Sequence, residues 1–501
     1  MSLLGLDIGT SGCKATAFST QGAILAHAYR EYDLVRPKPE WAEFNSYDVL
    51  EKVKDVMRYA AAGTRSDPVT AFCVSSCGEA MTPVSRDRKI IGNAIMGYEK
   101  RGSQYVQKLI EAVGEEEIFS ITGNRPSHIF SALKLVWIKE NMPEMYNKAA
   151  YFLLWPDLVF FILGCNPATD YSMANRTLLF DQESANWSEK IIQALGLDIE
   201  KLPDVVPSGT DIGTVSDRMA KELGLRRGVR CITGGLDQCC SVLGVGAVKS
   251  NRTCYSMGTF ICITPAFFEK PDLEKSFAIN LSINYHVIPK QFVTFIHNAT
   301  GGSVLKWFRD ELTESRTAKQ KSFDTYTSII NQAPENPTDL LVLPFFTPTG
   351  APFLDMKTPG ALYGIRLGTT RWQIMKALME GVTYFFAEGM QILEEIGIDI
   401  VEYWVTGGGA KSDKWIQLTS DIMGKPFVKP KILEAATLGA AIIAGTTARI
   451  YKSLHEAVEQ HVQIEKVFEP NIKKHAIYEE KLEQYKKMRI AMLTLSEDIG
   501  I

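Results

Sequence analysis

Leu3-Leu4-Gly5-Leu6-Asp7-Ile8-Gly9-Thr10-Ser11-Gly12-Cys13-Lys14-Ala15-Thr16-Ala17-Phe18 decides how the rest of the chain is read. Leu3 to Ile8 is apolar, Gly9 to Gly12 reads as a turn, and Lys14 to Phe18 alternates. Gln21-Gly22 then turns into Ala23 to Tyr32, so the opening is a β-meander. The same grammar returns mid-chain, where Asn251 to Met257 leads through Gly258-Thr259 into Phe260 to Pro265. Two copies about half a chain apart predict two related domains. Between them, Tyr47–Ala62 and Ile129–Asn141 carry helical patterns and Val69–Ser75 reads as a buried strand. Such alternation favours an α/β layer architecture. Further on, Arg371–Ile396 places apolar residues at helical spacing, and Ala435–Ile450 is a helix of small residues suited to close packing. The charged stretch Lys473–Lys487 is expected to be a solvated helix. No low-complexity linker interrupts the chain, so the domain boundary is placed near Gly246, giving 1–246 and 247–501.

Composition bounds the function. At 501 residues the chain exceeds one comfortable hydrophobic core. Its 54 Lys and Arg against 58 Asp and Glu give a net charge of −4, without the basic surplus of a nucleic-acid binder. The nine cysteines show no framework spacing and read as reduced thiols of a cytoplasmic protein. Cys73 and Cys77 lack a second ligand pair for zinc. No basic leader precedes Met1-Ser2-Leu3-Leu4, and runs such as Leu158–Leu163 are too short to span a bilayer, so no membrane partner is expected.

Several nucleotide signatures are missing. Gly12-Cys13-Lys14 and Gly424-Lys425-Pro426 both fail the Walker A pattern, no GxGxxG follows a strand, and the His-Arg-Asp and Asp-Phe-Gly sets are absent. What remains is the first hairpin tip. Glycines let successive N–H groups of Thr10, Ser11 and Gly12 turn toward one anion, with hydroxyls and Lys14 alongside. Asp7, ending the preceding strand, could hold Mg²⁺ beside the phosphates. A plain hairpin turn is the alternative for an isolated Asp-x-Gly-Thr. Gly258-Thr259 offers a second phosphate contact.

Three further segments carry a resemblance. They are Thr406-Gly407-Gly408-Gly409-Ala410-Lys411-Ser412 with Trp415, Gln417 and Asp421; Gly360-Ala361-Leu362-Tyr363-Gly364-Ile365 with Gln373, Ala377 and Glu380; and Glu434-Ala435-Ala436-Thr437-Leu438-Gly439-Ala440-Ala441. In this order the chain resembles the FGGY family of carbohydrate kinases over nearly its full length. The resemblance implies an α/β fold of two actin-like ATPase (ribonuclease H-like) domains with an interdomain cleft. It implies ATP and Mg²⁺ as cofactors, a small sugar or polyol as substrate, and Gly408, Gly409, Ala410 and Ser412 at the adenosine. A homodimer is left open.

The same resemblance makes Asp237, in Gly234-Gly235-Leu236-Asp237-Gln238, the catalytic base. Its reference pKa of about 3.9 is too low to deprotonate a sugar in advance, but it can receive the proton as the O–P bond forms. The competing reading is an N-cap aspartate after two glycines. Ser75-Ser76-Cys77-Gly78-Glu79-Ala80 stands where xylulokinases typically carry Met-His-Gly and glycerol kinases Arg-Glu. Glu79 fits the second as an acceptor for sugar hydroxyls, while Gly78 loses the arginine. Gly97-Tyr98-Glu99-Lys100-Arg101 replaces the Trp-Asn-Asp-x-Arg of many members and keeps only Arg101. Gln238 could hydrogen-bond a hydroxyl, and Asp170-Tyr171-Ser172-Met173-Ala174 fits a framework segment. Substrate contacts are therefore expected from Glu79, Arg101, Asp237 and Gln238. The leading reading is phosphorylation of a ketose, a pentulose first. Glycerol or tetritol, aldonate and deoxyketose kinases, or a non-catalytic sugar sensor of the same fold, are the alternatives.

Overall fold

A strand can bury its successive residues only if both of its faces are covered. The first strand, β1 (Ser2–Ile8), meets this condition, with every residue but Asp7 buried. In the computed structural model, which describes residues 1–249, 251–313, 323–347, 349–353 and 357–500, it lies inside a six-stranded sheet. β2 (Gly12–Ser19) and β3 (Ile24–Glu31) follow it antiparallel. β4 (Val69–Ser76) and β6 (Arg230–Leu236) add on the other side in parallel, and β5 (Asp211–Thr214) closes the edge antiparallel to β6. The order is β5-β6-β4-β1-β2-β3. β3 alternates between buried and exposed residues because it is the edge. Helix α1 (Ser46–Gly63), capped by the Asn45 side chain accepting from the Asp48 N–H at 3.2 Å, lays Val49, Val53, Val56 and Met57 on this sheet.

The mid-chain hairpin nucleates a second sheet with the same pattern. β7 (Arg252–Met257) pairs antiparallel with β8 (Ile261–Phe267), which pairs antiparallel with β9 (Ile296–Asn298). β10 (Glu402–Thr406) and β11 (Phe427–Pro430) extend β7 in parallel, and β12 (Ile464–Phe468) ends the row antiparallel. Strand for strand, β9-β8-β7-β10-β11-β12 repeats β3-β2-β1-β4-β6-β5. The repeat read from two short hairpins therefore extends through whole sheets.

Two helices lie between the sheets. α2 (Asp237–Val245) leads from β6 toward β7, and α4 (Ala435–Thr447), whose number follows α3 (Arg371–Glu395) in the chain, packs on β1, β4 and α2. The contact is backbone on backbone. A Cβ added at Gly439 would stand 2.0 Å from the Cys240 carbonyl oxygen, one at Gly244 1.9 Å from that of Ala435, and one at Gly5 1.8 Å from that of Thr437. Although α4 belongs to the second half of the sequence, it covers the first sheet. The 246/247 division thus falls at the end of α2, and the chain after it contributes to both layers.

The C-terminal helix α5 (Ile472–Ile499) corrects the expectation of a fully solvated element. Tyr478, Leu482 and Tyr485 form one buried stripe hidden among charges. The Tyr478 hydroxyl donates to Glu380 on α3 at 3.1 Å, and Arg489 holds Glu388 through bonds of 3.0 and 2.6 Å. Glu380 also accepts from Thr338, and Gln373 closes a capping box with Thr370, so of these two motif residues Gln373 caps α3 and Glu380 ties it to its neighbours. All nine cysteines are unpaired and buried. Among the described residues no helix is long and apolar enough to cross a membrane.

Overpacking a tight contact costs about 1–3 kcal/mol, and a carbonyl in a helix cannot swing aside. Gly439→Ala should therefore lower unfolding free energy by about 2 kcal/mol or more, read as a reduced urea midpoint at unchanged slope. A midpoint equal to that of the unmutated protein would show that α2 and α4 separate without cost.

Candidate active site

Parallel neighbours end at the same edge, so residues just past their carboxyl ends meet in one crevice. In the first sheet, register pairs Asp7 of β1 with Ser75 of β4, and Ser75 with Gly235 of β6. The chain beyond these pairings supplies the hairpin turn, Glu79 and Asp237. In the second sheet, Ser256 of β7 pairs with Thr406 of β10, which brings Met257-Gly258 beside Gly407 to Gly409. A Cβ at Gly407 or Gly409 would lie 2.9 Å from the Met257 carbonyl oxygen, whereas one at Gly408 would meet nothing within 4 Å.

The first turn closes through the Gly9 N–H donating to the Gly12 carbonyl at 2.9 Å, and Tyr32 donates its hydroxyl to the Gly9 carbonyl at 2.6 Å. Thr10 and Ser11 are left exposed. Gly12 has no room for a side chain, since its Cβ would lie 2.6 Å from Tyr29. Thr259 and Gly408 are likewise exposed on the other sheet. Ala410 and Ser412 point inward instead. Ala410 is fully buried, and the Ser412 hydroxyl accepts from the Trp415 N–H at 3.3 Å as the cap of helix Asp413–Met423. Lys14 differs from its expected place at a phosphate. Its ammonium lies 2.9 Å from Glu434 at the head of α4, linking the two halves.

Asp237 opens α2 and accepts from the Gln238 N–H at 2.7 Å. Burial, followed by the nearby Asp7 and Glu79 charges, pushes its pKa up to about 7, against the Gln238 N–H and Arg176. Burial also raises Asp7, opposed by Lys14 and by the Ser75 hydroxyl donating at 3.0 Å. The Gln238 side-chain oxygen is buried without a hydrogen-bond partner. The segment read as framework holds this turn. Buried Asp170 accepts from Ser172 and Ser208, and the Ser172 hydroxyl in turn accepts from the Leu236 N–H at 3.0 Å, one residue before Asp237.

Two expectations about the acceptor side concern arginines. Arg101 is buried, its guanidinium 3.9 Å over Trp41, with one bond to Glu43 at 2.7 Å and another to Glu99. Those two carboxylates balance its charge, while its Nη2 is buried without a hydrogen-bond partner. The arginine missing at Gly78 is replaced from elsewhere. Arg176, in the short turn Asn175–Thr177, contacts Glu79 Oε1 through Nε at 2.7 Å and Nη2 at 2.6 Å. Nothing in the local pattern around Arg176 marks it; only the long-range contact with Glu79 does.

The FGGY family's N-terminal domain profile matches residues 2–244 and its C-terminal domain profile residues 255–448. The chain belongs to the FGGY family of carbohydrate kinases. It is 26% identical over 488 residues to a xylulose kinase of Bacillus subtilis, covering 97% of this chain and 96% of that one. It is 28% identical over 510 residues to a glycerol kinase of Pseudothermotoga lettingae, covering 98% and 97%. A crystal structure of ligand-bound xylulose kinase from Lactobacillus acidophilus superposes with a TM-score of 0.88 at 22% identity, covering 99% of both chains. As in other FGGY kinases, the two sheets are those of actin-like ATPase domains.

A carboxyl held above its ordinary value weakens folding once ionised. The stability it allows below about pH 3.9 is lost as pH rises through about 7. Asp237→Asn should therefore keep or raise the Tm at pH 8, and Asp7→Asn should move the Asp237 carboxyl titration, followed by carbon-13 NMR, to lower pH. An Asp237 titration unmoved by Asp7→Asn would break the electrostatic link between them.

Proposed function

We propose that this FGGY kinase transfers the γ-phosphoryl group of ATP to a hydroxyl of a neutral ketose, a pentulose such as xylulose being the first choice. The reading is carried by one observation: Asp237 and Asp7 lie at the ends of parallel strands of one sheet edge, near enough that the Asp7 charge raises the Asp237 carboxyl. Asp237 orients the acceptor hydroxyl and takes its proton as the new O–P bond forms, while the bond from the γ-phosphorus to the ADP oxygen breaks. The N–H groups and hydroxyls of Thr10, Ser11 and Thr259 hold phosphate oxygens from the two hairpin turns. The open face of Gly408 and Gly409 receives the adenosine. In this assignment residues 1–246 carry acceptor and base, and 247–501 carry most of the nucleotide site.

Asp7 suits Mg²⁺. It offers a hard oxygen donor whose ionised form burial disfavours and a cation would restore. Mg²⁺ keeps several waters and takes substrate phosphate oxygens besides one or two carboxylates, so Asp7 alone would serve as its protein-side donor. When bound, Mg²⁺ supplies charge neutralisation at the phosphates. The similarity to glycerol kinases, together with Glu79, supports glycerol or a tetritol as the second substrate reading.

ADP release across pentuloses, hexuloses, polyols and aldonates, with NMR of the product, tests the assignment. Sugar-dependent thermal shifts without turnover would turn the protein into a sensor. Asp237→Asn should lower kcat by roughly 10² or more, as loss of a positioned base does. Gly408→Val should raise KM for ATP and leave that for the sugar unchanged; an unmoved nucleotide KM in the folded variant would remove adenosine from that face.

A further inference from the structure

Most of the cationic side chains near the acceptor wall are already committed. Arg101 is balanced by Glu43 and Glu99, Lys134 donates to the carbonyls of Glu99 and Arg101, and Lys14 is paired with Glu434. His297 is kept neutral by burial, its pKa lowered to about 4. That leaves Arg176. Its side chain is only 13% exposed, and both its contacts fall on a single oxygen of Glu79. Glu79 itself sits in the left-handed backbone region at φ 66°, its carbonyl accepting from the Ser131 hydroxyl at 2.7 Å. A non-glycine residue there costs of order 1–3 kcal/mol and persists only where surroundings over-determine it.

The two glycines that depart from the family pattern make this pair possible. A Cβ at Gly78 would lie 3.1 Å from Arg176 Cβ and Cγ, and one at Gly97 3.0 Å from Glu79 Cβ and 3.2 Å from Glu79 Oε2. Side chains at either position would push into the pair. The guanidinium is also held at 5.1 Å from the Phe130 ring and 5.6 Å from that of Phe295, one from each half of the chain. Its charge acts on Asp237, lowering the pKa that burial raises.

Resting on the kinase reading above, we propose that Arg176, locked onto Glu79, sets acceptor selectivity. The pair presents Glu79 Oε2 and the free Nη1 edge of Arg176 to neighbouring hydroxyls of a neutral ketose or polyol, and it rejects an acceptor that ends in a carboxylate. A hydroxyl can donate to the first and accept from the second. A carboxylate can only accept, and it meets Glu79 with its counter-charge already used.

The test is kcat/KM for D-xylulose, glycerol and D-gluconate in the unmutated enzyme, Arg176→Met, Arg176→Lys and Glu79→Gln. The unmutated enzyme should prefer a neutral acceptor over gluconate by about 100-fold or more, the range that a site built for hydroxyls achieves. Arg176→Met should raise acceptor KM about tenfold or more with ATP KM within about twofold, and Arg176→Lys should recover part of that loss. Glu79→Gln keeps the shape but frees the guanidinium charge, and should raise the gluconate-to-neutral ratio about tenfold or more. Should Arg176→Met not fold, the near-isosteric Glu79→Gln decides alone. Turnover of neutral sugars with an unchanged ratio in Glu79→Gln, or gluconate used as well as they are by the unmutated enzyme, overturns the role of Arg176. An unmutated enzyme that turns over none of the three overturns the choice of a xylulose-like or glycerol-like acceptor, and this proposal with it.

Discussion

The approach of α2 to α4 with no side chains between them is the constraint on which the molecule depends. Gly439 against Cys240 and Gly244 against Ala435 bring two helix backbones together between the sheets, and Gly5 lets α4 lie directly on β1. Asp237 is the first residue of α2, so the helix that carries it is held against α4 and, through α4, against β1. One bulky residue in that contact would shift a helix by more than the tolerance of in-line phosphoryl transfer, where atoms must meet within about 3–3.5 Å. The small-residue composition of α4 is thus tied to the chemistry some distance away.

The carboxylates show what the site costs. Asp7, Asp170 and Asp237 all have burial as the largest cause of a raised pKa, and Asp237 also feels Asp7 and Glu79. Repulsion of this kind is unfavourable in the empty cleft and is relieved when a cation or a proton-donating hydroxyl arrives. The fold holds these groups together because the strand register leaves them no other place: residues past the ends of β1, β4 and β6 share one edge.

What could be read beforehand divides by range of interaction. The hairpins were legible because period-two alternation and glycine turns are local, and two of them fell at equivalent points of a duplicated sheet. Asp7, Asp237 and Gly408 could be singled out because each sits in a short, ordered motif. Arg176 was not, since its partner lies 97 residues away and its own neighbours carry no signal. The carboxylate partners of Arg101 have no local signature, because a retained arginine looks the same whether it faces a ligand or two carboxylates. The buried stripe of α5 was masked by flanking lysines and glutamates, although Tyr478, Leu482 and Tyr485 keep helical spacing. Ser172 could be assigned no more than a framework role until the Leu236 N–H was found against it.

After α2 the chain crosses from the first layer to the second, after β11 it returns to build α4, and before β12 it crosses again. These three passes run together. A Cβ at Gly246 would stand 3.0 Å from Val462, and the Lys431 N–H donates to the Gln463 carbonyl at 2.9 Å. Were the two layers to turn about these three adjoining stretches of backbone, α2 would be the arm of the lever, with Asp237 nine residues from Gly246. At 1.5 Å per helical residue that arm is about 13 Å, so turning one layer by about 10° changes the gap at the tip by about 2 Å. Such a rotation would be enough to open or close the distance that decides whether a phosphoryl group can be passed.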